Sequence, residues 1–192
     1  MIRIDAIATR TGDTGTTGLA DGTRVPKDHP LIEVLGAVDE ANSLLGVVRG
    51  EMLPPAIAAA LATVQNDCFD LGGDLATPPG GTWEAKIPRI TTAQVARLDG
   101  WLAESAARLP PLTSFVLPAG SPGARWFHLA RTVVRRAERA LVAAQHRDPD
   151  RAWNPECLRY LNRLSDLCFA WARCCNDDGR ADVAWVPGAN RG

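Results

Sequence analysis

The chain has 192 residues, of which 46% are apolar and 22% charged, and its net charge is −1. That length suits one domain with a core large enough to fold without disulfides or metal. The near-zero charge argues against a globally basic nucleic-acid binder, and no stretch approaches the ~18 consecutive apolar residues of a membrane span.

Taken in chain order, residues 9–28 form an irregular, polar loop: Thr9-Arg10-Thr11-Gly12-Asp13-Thr14-Gly15-Thr16-Thr17-Gly18, then Arg24-Val25-Pro26-Lys27-Asp28. This stretch fits neither a helix nor a core strand. From about 29 to 49, Leu31, Val34, Leu35, Val38, Leu45 and Val48 recur with a helical period, and Gly50 ends the run. Pro54-Pro55 opens a second helix carrying Ile57, Leu61, Val64, Cys68 and Leu71 on one face. Gly72-Gly73 weaken its end and Pro78-Pro79-Gly80-Gly81 stop it. A loop over 77–90 holds Trp83 and Lys86. Thr91 and Gln94 read as a capping box for a third helix that stops near Pro110-Pro111. A short segment, Ser114 to Pro118, leads to a turn at 119–123. A long fourth helix follows over about 122–146, then a loop to Pro155 and a fifth helix over about 156–176.

The expected fold is all-α: a single domain, 1–192, built as a five-helix up-and-down bundle over 29–178. The loop at 9–28 precedes it, and a flexible, glycine- and proline-bearing tail over 179–192 follows. The start of the chain lacks a charged segment followed by an apolar run, so the cytoplasm, or an organelle matrix after processing, is the expected location. The five cysteines form no CxxC pair, which points to buried reduced thiols rather than a zinc ribbon or disulfide scaffold. An exposed, redox-sensitive Cys174-Cys175 pair is the alternative.

Three segments carry candidate chemistry. Arg131, Arg135 and Arg139 of the fourth helix lie within ~80° of one another, and Glu138 shares their face. Such a stripe is either a solvated face with local pairing to Glu138, or it meets carboxylates of a neighbouring helix or a phosphate chain, which the planar guanidinium fork suits. Asn162, Ser165 and Asp166 share one face of the fifth helix. There an amide can read a base edge or a ribose hydroxyl, or the cluster can satisfy nearby backbone. Asp39-Glu40 of the first helix either face water or find a cation in the arginine stripe. The N-terminal loop lacks the Gly-Lys-Ser/Thr ending of a Walker A motif, so a P-loop NTPase is disfavoured, but backbone amides, hydroxyls and Lys27 can cradle phosphate differently. The histidines, His29, His128 and His146, match no metal motif, and His128 is expected to pack within the fourth helix.

Together these segments resemble one family. The loop 9–18 with Arg24 to Asp28, Val38-Asp39-Glu40-Ala41-Asn42-Ser43, Asp70 to Pro78, Phe115-Val116-Leu117-Pro118, the run His128 to Arg139 and Leu161 to Asp166 are similar, in order and spacing, to the signatures of the PduO-type ATP:cob(I)alamin adenosyltransferases. The resemblance implies a homotrimeric five-helix bundle with active sites between subunits. It implies transfer of the 5′-deoxyadenosyl group of ATP to the cobalt of cob(I)alamin, with release of triphosphate and passage through four-coordinate cob(II)alamin. By that resemblance Thr9, Arg10, Thr11, Gly12, Thr17, Gly18 and Lys27 bind ATP, and Arg135, Arg136, Ala137, Glu138, Arg139 and Asn162 complete the nucleotide site from an adjacent subunit. Asp39 pairs with Arg131 across the interface, and Phe115 lies against the corrin and excludes its lower axial ligand. Mg2+ is held with the phosphates, with no dedicated protein ligands. A flavin or flavoprotein reductase supplies the electron, and an adenosylcobalamin-dependent enzyme is a possible recipient of the product. Nucleic acid and membrane are not expected partners. Thr14 stands where many relatives carry lysine, and Trp126-Phe127 is bulkier than the pattern. A non-catalytic ATP or cobalamin carrier or sensor is the alternative reading.

Overall fold

A computed structural model describes residues 8–77, 80, 84–189 and 191. The stop at Pro78, Pro79 and Gly81, the loop residue Trp83 and the first seven residues lie outside them. Five helices make the fold: α1 (Pro30–Arg49), α2 (Pro55–Ala76), α3 (Thr92–Ala106), α4 (Pro122–Arg147) and α5 (Pro155–Cys174). They follow one another up and down, and α4 packs centrally against both α1 and α5.

Local chemistry sets the helix starts. Pro30, Pro55, Pro122 and Pro155 occupy first turns, where proline's missing N–H costs nothing. Ser121 and Asn154 cap α4 and α5 by accepting from the N–H groups of Ala124 (3.2 Å) and Glu156 (3.0 Å). The Thr91–Gln94 capping box forms in both directions. The helix α2 runs through Gly72 and Gly73 to Ala76. Gly73 lets the 84–90 segment approach: a Cβ there would lie 3.1 Å from the Cγ2 of Ile87.

The core is continuous, with Trp171, Tyr160, Phe127 and a set of leucines fully enclosed. Phe127 stacks obliquely on Trp171 at 5.6 Å, so the bulky pair at the start of α4 is accommodated by packing, and Trp126 donates its indole N–H to Glu51 at 3.0 Å. Two buried carboxylates tie the helices together. Asp74 accepts from Arg89 (2.7 Å), the Ile90 N–H (2.8 Å) and Asn154 (2.7 Å). Asp67 accepts from Arg97 and from the Tyr160 hydroxyl (2.9 Å). Each acid is hydrogen-bonded and faces a guanidinium, as burial of a charge requires. All five cysteines are free. Burial pushes the Cys68 and Cys175 thiols up to about 12 and raises those of Cys157, Cys168 and Cys174, which makes them poor nucleophiles.

Two expectations are corrected. The N-terminal loop contains a short antiparallel hairpin, β1 (Thr16–Gly18) with β2 (Arg24–Pro26), in the register Thr17 opposite Val25. Its turn is closed by Asp21, which accepts from the N–H and hydroxyl of Thr23 at 2.9 and 2.8 Å, with Gly22 at φ +85°. Asp21-Gly22 is an ordinary hairpin signal that the polar composition obscured. The tail is also not loose over 179–186. The guanidinium of Arg173, 6% exposed, donates to Asp182 (2.7 Å) and to the Pro110 carbonyl (2.9 Å). Beyond it the chain pairs with the 115–117 segment through Leu117 N–H to Val183 and Trp185 N–H to Phe115, both 2.8 Å. A buried arginine needs acceptors, and Asp182 supplies one from the tail.

Candidate nucleotide and corrinoid site

The loop is built around a residue to which the sequence assigned no role. Arg24 donates to the Thr11 carbonyl (2.6 Å) and to the carbonyl and hydroxyl of Thr16 (3.1 and 2.7 Å). This draws 9–16 back over the hairpin. Arg10 takes a left-handed φ of +57° and Gly15 one of +81°, so the chain turns tightly there. The Thr9 and Thr11 hydroxyls share a 3.0 Å hydrogen bond. Lys27 enters from β2, and its ammonium lies 3.0 Å from where a Cβ on Gly12 would stand. Among the described residues Lys27 has no carboxylate partner. Thr9, Arg10, Thr11, Gly12, Thr17, Gly18 and Lys27 thus lie on one loop and hairpin, with the Lys27 ammonium beside Gly12.

The loop is anchored at one end of the bundle: Ala20 N–H donates to the Ala76 carbonyl at 3.3 Å, and Leu19 rests on the core. That is the end where α4 finishes, beside His29 and Leu31. Arg135 sits nine residues before Ala144, roughly 14 Å back along the helix axis. Among the described residues no hydrogen bond or ion pair joins the loop to Arg131, Arg135, Arg136 or Arg139.

The arginine stripe divides by environment. Arg135 and Arg139 are exposed and, among the described residues, without a carboxylate partner. Arg131 is half-buried, and its Nε is buried with no acceptor. Arg136 forms an ion pair with Glu40 of α1, a pairing outside the predicted stripe. Glu138 does not pair with the arginines of its own helix. It accepts from the Asn162 amide at 2.8 Å, and the other end of that amide accepts from Arg163 at 2.8 Å. The helix rotation that turns Arg135 outward puts Glu138 toward α5. Ala137 is fully enclosed, so its side chain faces the core. Ser165 is buried and donates to the Asn162 carbonyl (2.9 Å), whereas Asp166 is exposed. Asp39 is exposed, and the chain does not bring it to Arg131. Between α1 and α4 runs a groove of about 570 Å³ lined by Val47, Leu129, Glu40, Arg136 and Arg139.

His128 is 3% exposed, as expected of a packed residue, and stands edge-on to Phe169 at 6.0 Å. Burial, and then the neighbouring charge of Arg131, lower its pKa below the usual value. Phe115 is 77% exposed, an uncommon position for a large apolar ring. It is supported by Trp185 of the tail, another residue the sequence did not single out. Among the described residues no three His, Cys, Asp or Glu side chains converge as a metal site. No described helix is long and apolar enough to cross a membrane.

A helical bundle with a cationic threonine–glycine loop, unpaired arginines and an exposed aromatic ring offers donors for a polyanion and an apolar face for a flat ligand. The comparisons make the class specific. The cobalamin adenosyltransferase family model matches residues 7–175. A cobalamin adenosyltransferase of Cupriavidus metallidurans is 50% identical over 185 residues, covering 95% of each chain. A corrinoid adenosyltransferase of Mycobacterium tuberculosis is 44% identical over 191 residues, covering 99% of this chain and 97% of its own. Among solved structures, a phenylalanine-to-alanine variant of the PduO-type ATP:corrinoid adenosyltransferase of Lactobacillus reuteri, complexed with cobalamin and ATP, superposes with a TM-score of 0.85 at 30% identity, covering 94% of this chain and 99% of that one. The chain belongs to the cobalamin adenosyltransferase family and is an enzyme of ATP:corrinoid adenosyl transfer.

Proposed function

We propose that the chain transfers the 5′-deoxyadenosyl group of ATP to cob(I)alamin within a homotrimer whose sites lie between subunits. The cobalt(I) lone pair attacks the ribose C5′. The C5′–O bond breaks, its electron pair leaves with triphosphate, and a cobalt–carbon bond forms. No general base is needed, since no proton moves at the reacting atoms. The enzyme must align cobalt with C5′ and stabilise the departing charge. Thr9 to Gly12, Thr17, Gly18 and Lys27 hold the phosphates, and Arg135 and Arg139 of a neighbouring subunit close over them, while Arg136 of the same turn stays paired with Glu40 at the edge of the nucleotide site. Glu138 and Asn162 form a linked pair that faces the ribose and base. Ala137 contributes by keeping that helix turn packed. Asp39 and Arg131 pair across the interface.

The observation that carries this reading is the division of the cations. A free Lys27 sits in the loop at one end of the chain, and free Arg135 and Arg139 face outward from the middle of α4. Exposed and unpaired within one chain, both sets suit one polyanion bound between two chains. Magnesium fits as the counter-ion of the triphosphate: phosphate oxygens and water suit it, and the exposed Thr9 and Thr11 hydroxyls would offer hard oxygen donors from the loop.

The exposed Phe115 supports passage through four-coordinate cob(II)alamin, in which the ring occupies the lower axial side. That species is easier to reduce, and a flavin or flavoprotein reductase supplies the electron. Delivery of the product to an adenosylcobalamin-dependent enzyme and a cytoplasmic location are consistent with this role. The test is the absorption spectrum of cob(I)alamin mixed with ATP, magnesium and the protein. Conversion to an alkylcobalamin spectrum with stoichiometric triphosphate is expected. Binding of both substrates without triphosphate release would mark a carrier instead.

A further inference from the structure

We infer that the groove between α3 and α5, walled by the 109–112 segment, is the seat of the corrinoid's displaced lower base, a flat aromatic benzimidazole-type ring. The inference rests on the proposed function, because it concerns the ligand that Phe115 excludes. The groove has a volume of about 380 Å³, within the range of small-molecule sites. Leu102, Leu109, Leu112 and Phe169 give it apolar walls, and Asp166 and Arg173 stand at its edges. It lies apart from the α1–α4 face that carries the unpaired arginines.

Three observations select the occupant. The first is position. Leu112 is three residues from Phe115, so their backbones lie within about 11 Å even when fully extended. A base leaving the lower face of a corrin that rests on Phe115 therefore meets this groove within the reach of its own tether. The second is shape. Leu112 is 49% exposed. Phe169 is fixed edge-on by His128, and Arg173 pins the opposite wall by donating to the Pro110 carbonyl. The apolar slot is thus held open, and a flat ring covers Leu112 and Phe169 together.

The third is charge. Asp166 and Arg173 lie seven residues apart along one face of α5, with Phe169 and Ala170 between them. The guanidinium of Arg173 is already committed to Asp182 and Pro110, so it does not neutralise Asp166. Asp166 has no hydrogen-bond or ion partner among the described residues. A carboxylate at the rim of an apolar slot suits an aromatic base whose ring nitrogen has left cobalt. Protonated by solvent, that nitrogen donates to Asp166, and its lone pair is no longer available to cobalt. Phe115 then blocks the axial site while Asp166 retains the base away from it.

The test titrates the ATP-loaded protein with cob(II)alamin and with cob(II)inamide, which lacks the base and its tether, followed by absorption and by electron paramagnetic resonance. Leu112→Glu is expected to weaken cob(II)alamin about tenfold and leave cob(II)inamide unchanged. Asp166→Asn is expected to weaken cob(II)alamin several-fold and to raise the base-on fraction, read from nitrogen splitting of the cobalt signal. It too leaves cob(II)inamide unchanged. Equal losses for both corrinoids, or no loss for either, would overturn the assignment. Failure of the unaltered protein to bind either corrinoid would instead remove the parent reading, and this one with it.

Discussion

The ring of Phe115 meets that of Trp185 at a centroid distance of 5.9 Å and an interplanar angle of 58°, and the Trp185 N–H donates to the Phe115 carbonyl at 2.8 Å. The hydrogen bond fixes the backbone and the indole fixes the ring, so the tail sets where an otherwise exposed phenylalanine points. An aromatic pair of this kind is worth about 0.5–1.5 kcal/mol. Trp185→Ala should slow turnover from cob(II)alamin roughly 2–10-fold, and turnover from chemically pre-reduced cob(I)alamin much less. Trp185→Phe should restore most of the loss. Equal slowing on both routes would deny Trp185 a positioning role.

Gly12 and Lys27 offer a test of the loop. A methyl at Gly12 meets the end of a flexible side chain rather than backbone, so Gly12→Ala should leave the melting temperature unchanged while displacing the ammonium. The expected result is a several-fold rise in the KM for ATP with kcat nearly preserved. An unchanged KM would remove Lys27 from the phosphate site.

Arg135 is exposed and unpaired, so stability gives no reason to keep it. Arg135→Ala should lower kcat by ~10²–10³, the range for losing one donor to developing charge. Arg135→Lys should recover only part of this, because the ammonium keeps the charge but not the planar fork. Near-normal kcat in the alanine variant would exclude the assignment.

Arg131 has a buried Nε without an acceptor, and Asp39 is free on α1. Asp39→Arg should break the proposed trimer to smaller species in light scattering, since it sets a second guanidinium against Arg131 in place of a carboxylate. Arg131→Asp should do the same, and the double exchange should restore assembly. Persistence of the trimer in both single variants would show that the pair does not join subunits.

Burial and the charge of Arg131 depress the pKa of His128 in the fold, with Asp182 opposing weakly. The unfolded chain therefore takes up the proton first. The stabilising contribution of neutral His128 is complete above its ordinary 6.5 and is lost as pH falls toward the depressed value, with a slope of at most about 1.4 kcal/mol per pH unit. Thermal melts between about pH 5 and 7 should show this slope, and it should flatten in His128→Gln. Equal slopes in the two proteins would place the titration elsewhere.

Local signals are legible in the sequence where they depend on neighbours along the chain. The Thr91–Gln94 capping box, the prolines at helix starts and the apolar periods of α1 and α2 all describe contacts within a few residues, and the structure contains them. Signals that depend on a partner far along the chain are not legible in local spacing. The composition of the tail suggested looseness, yet Asp182 meets Arg173 and Trp185 meets Phe115. The Asp21-Gly22 turn signal is masked by the polar residues on either side of it. Glu138 was grouped with its own helix's arginines, when a modest rotation of α4 gives it to Asn162.

The sequence by itself determined the number and order of helices, the chemistry of the 9–28 loop, the supply of arginines and the family. Each of these is a property of residue types at fixed spacing. Only the tertiary structure decided which charges are already paired. Arg136, Arg24 and Arg173 are held by partners within the chain, whereas among the described residues Lys27, Arg135 and Arg139 are left free. The reason is geometric: a guanidinium's partner is set by how far each helix is turned and where distant loops return, and neither is encoded in spacing along one segment. That sorting separates the arginines that build the bundle from those left to meet a nucleotide.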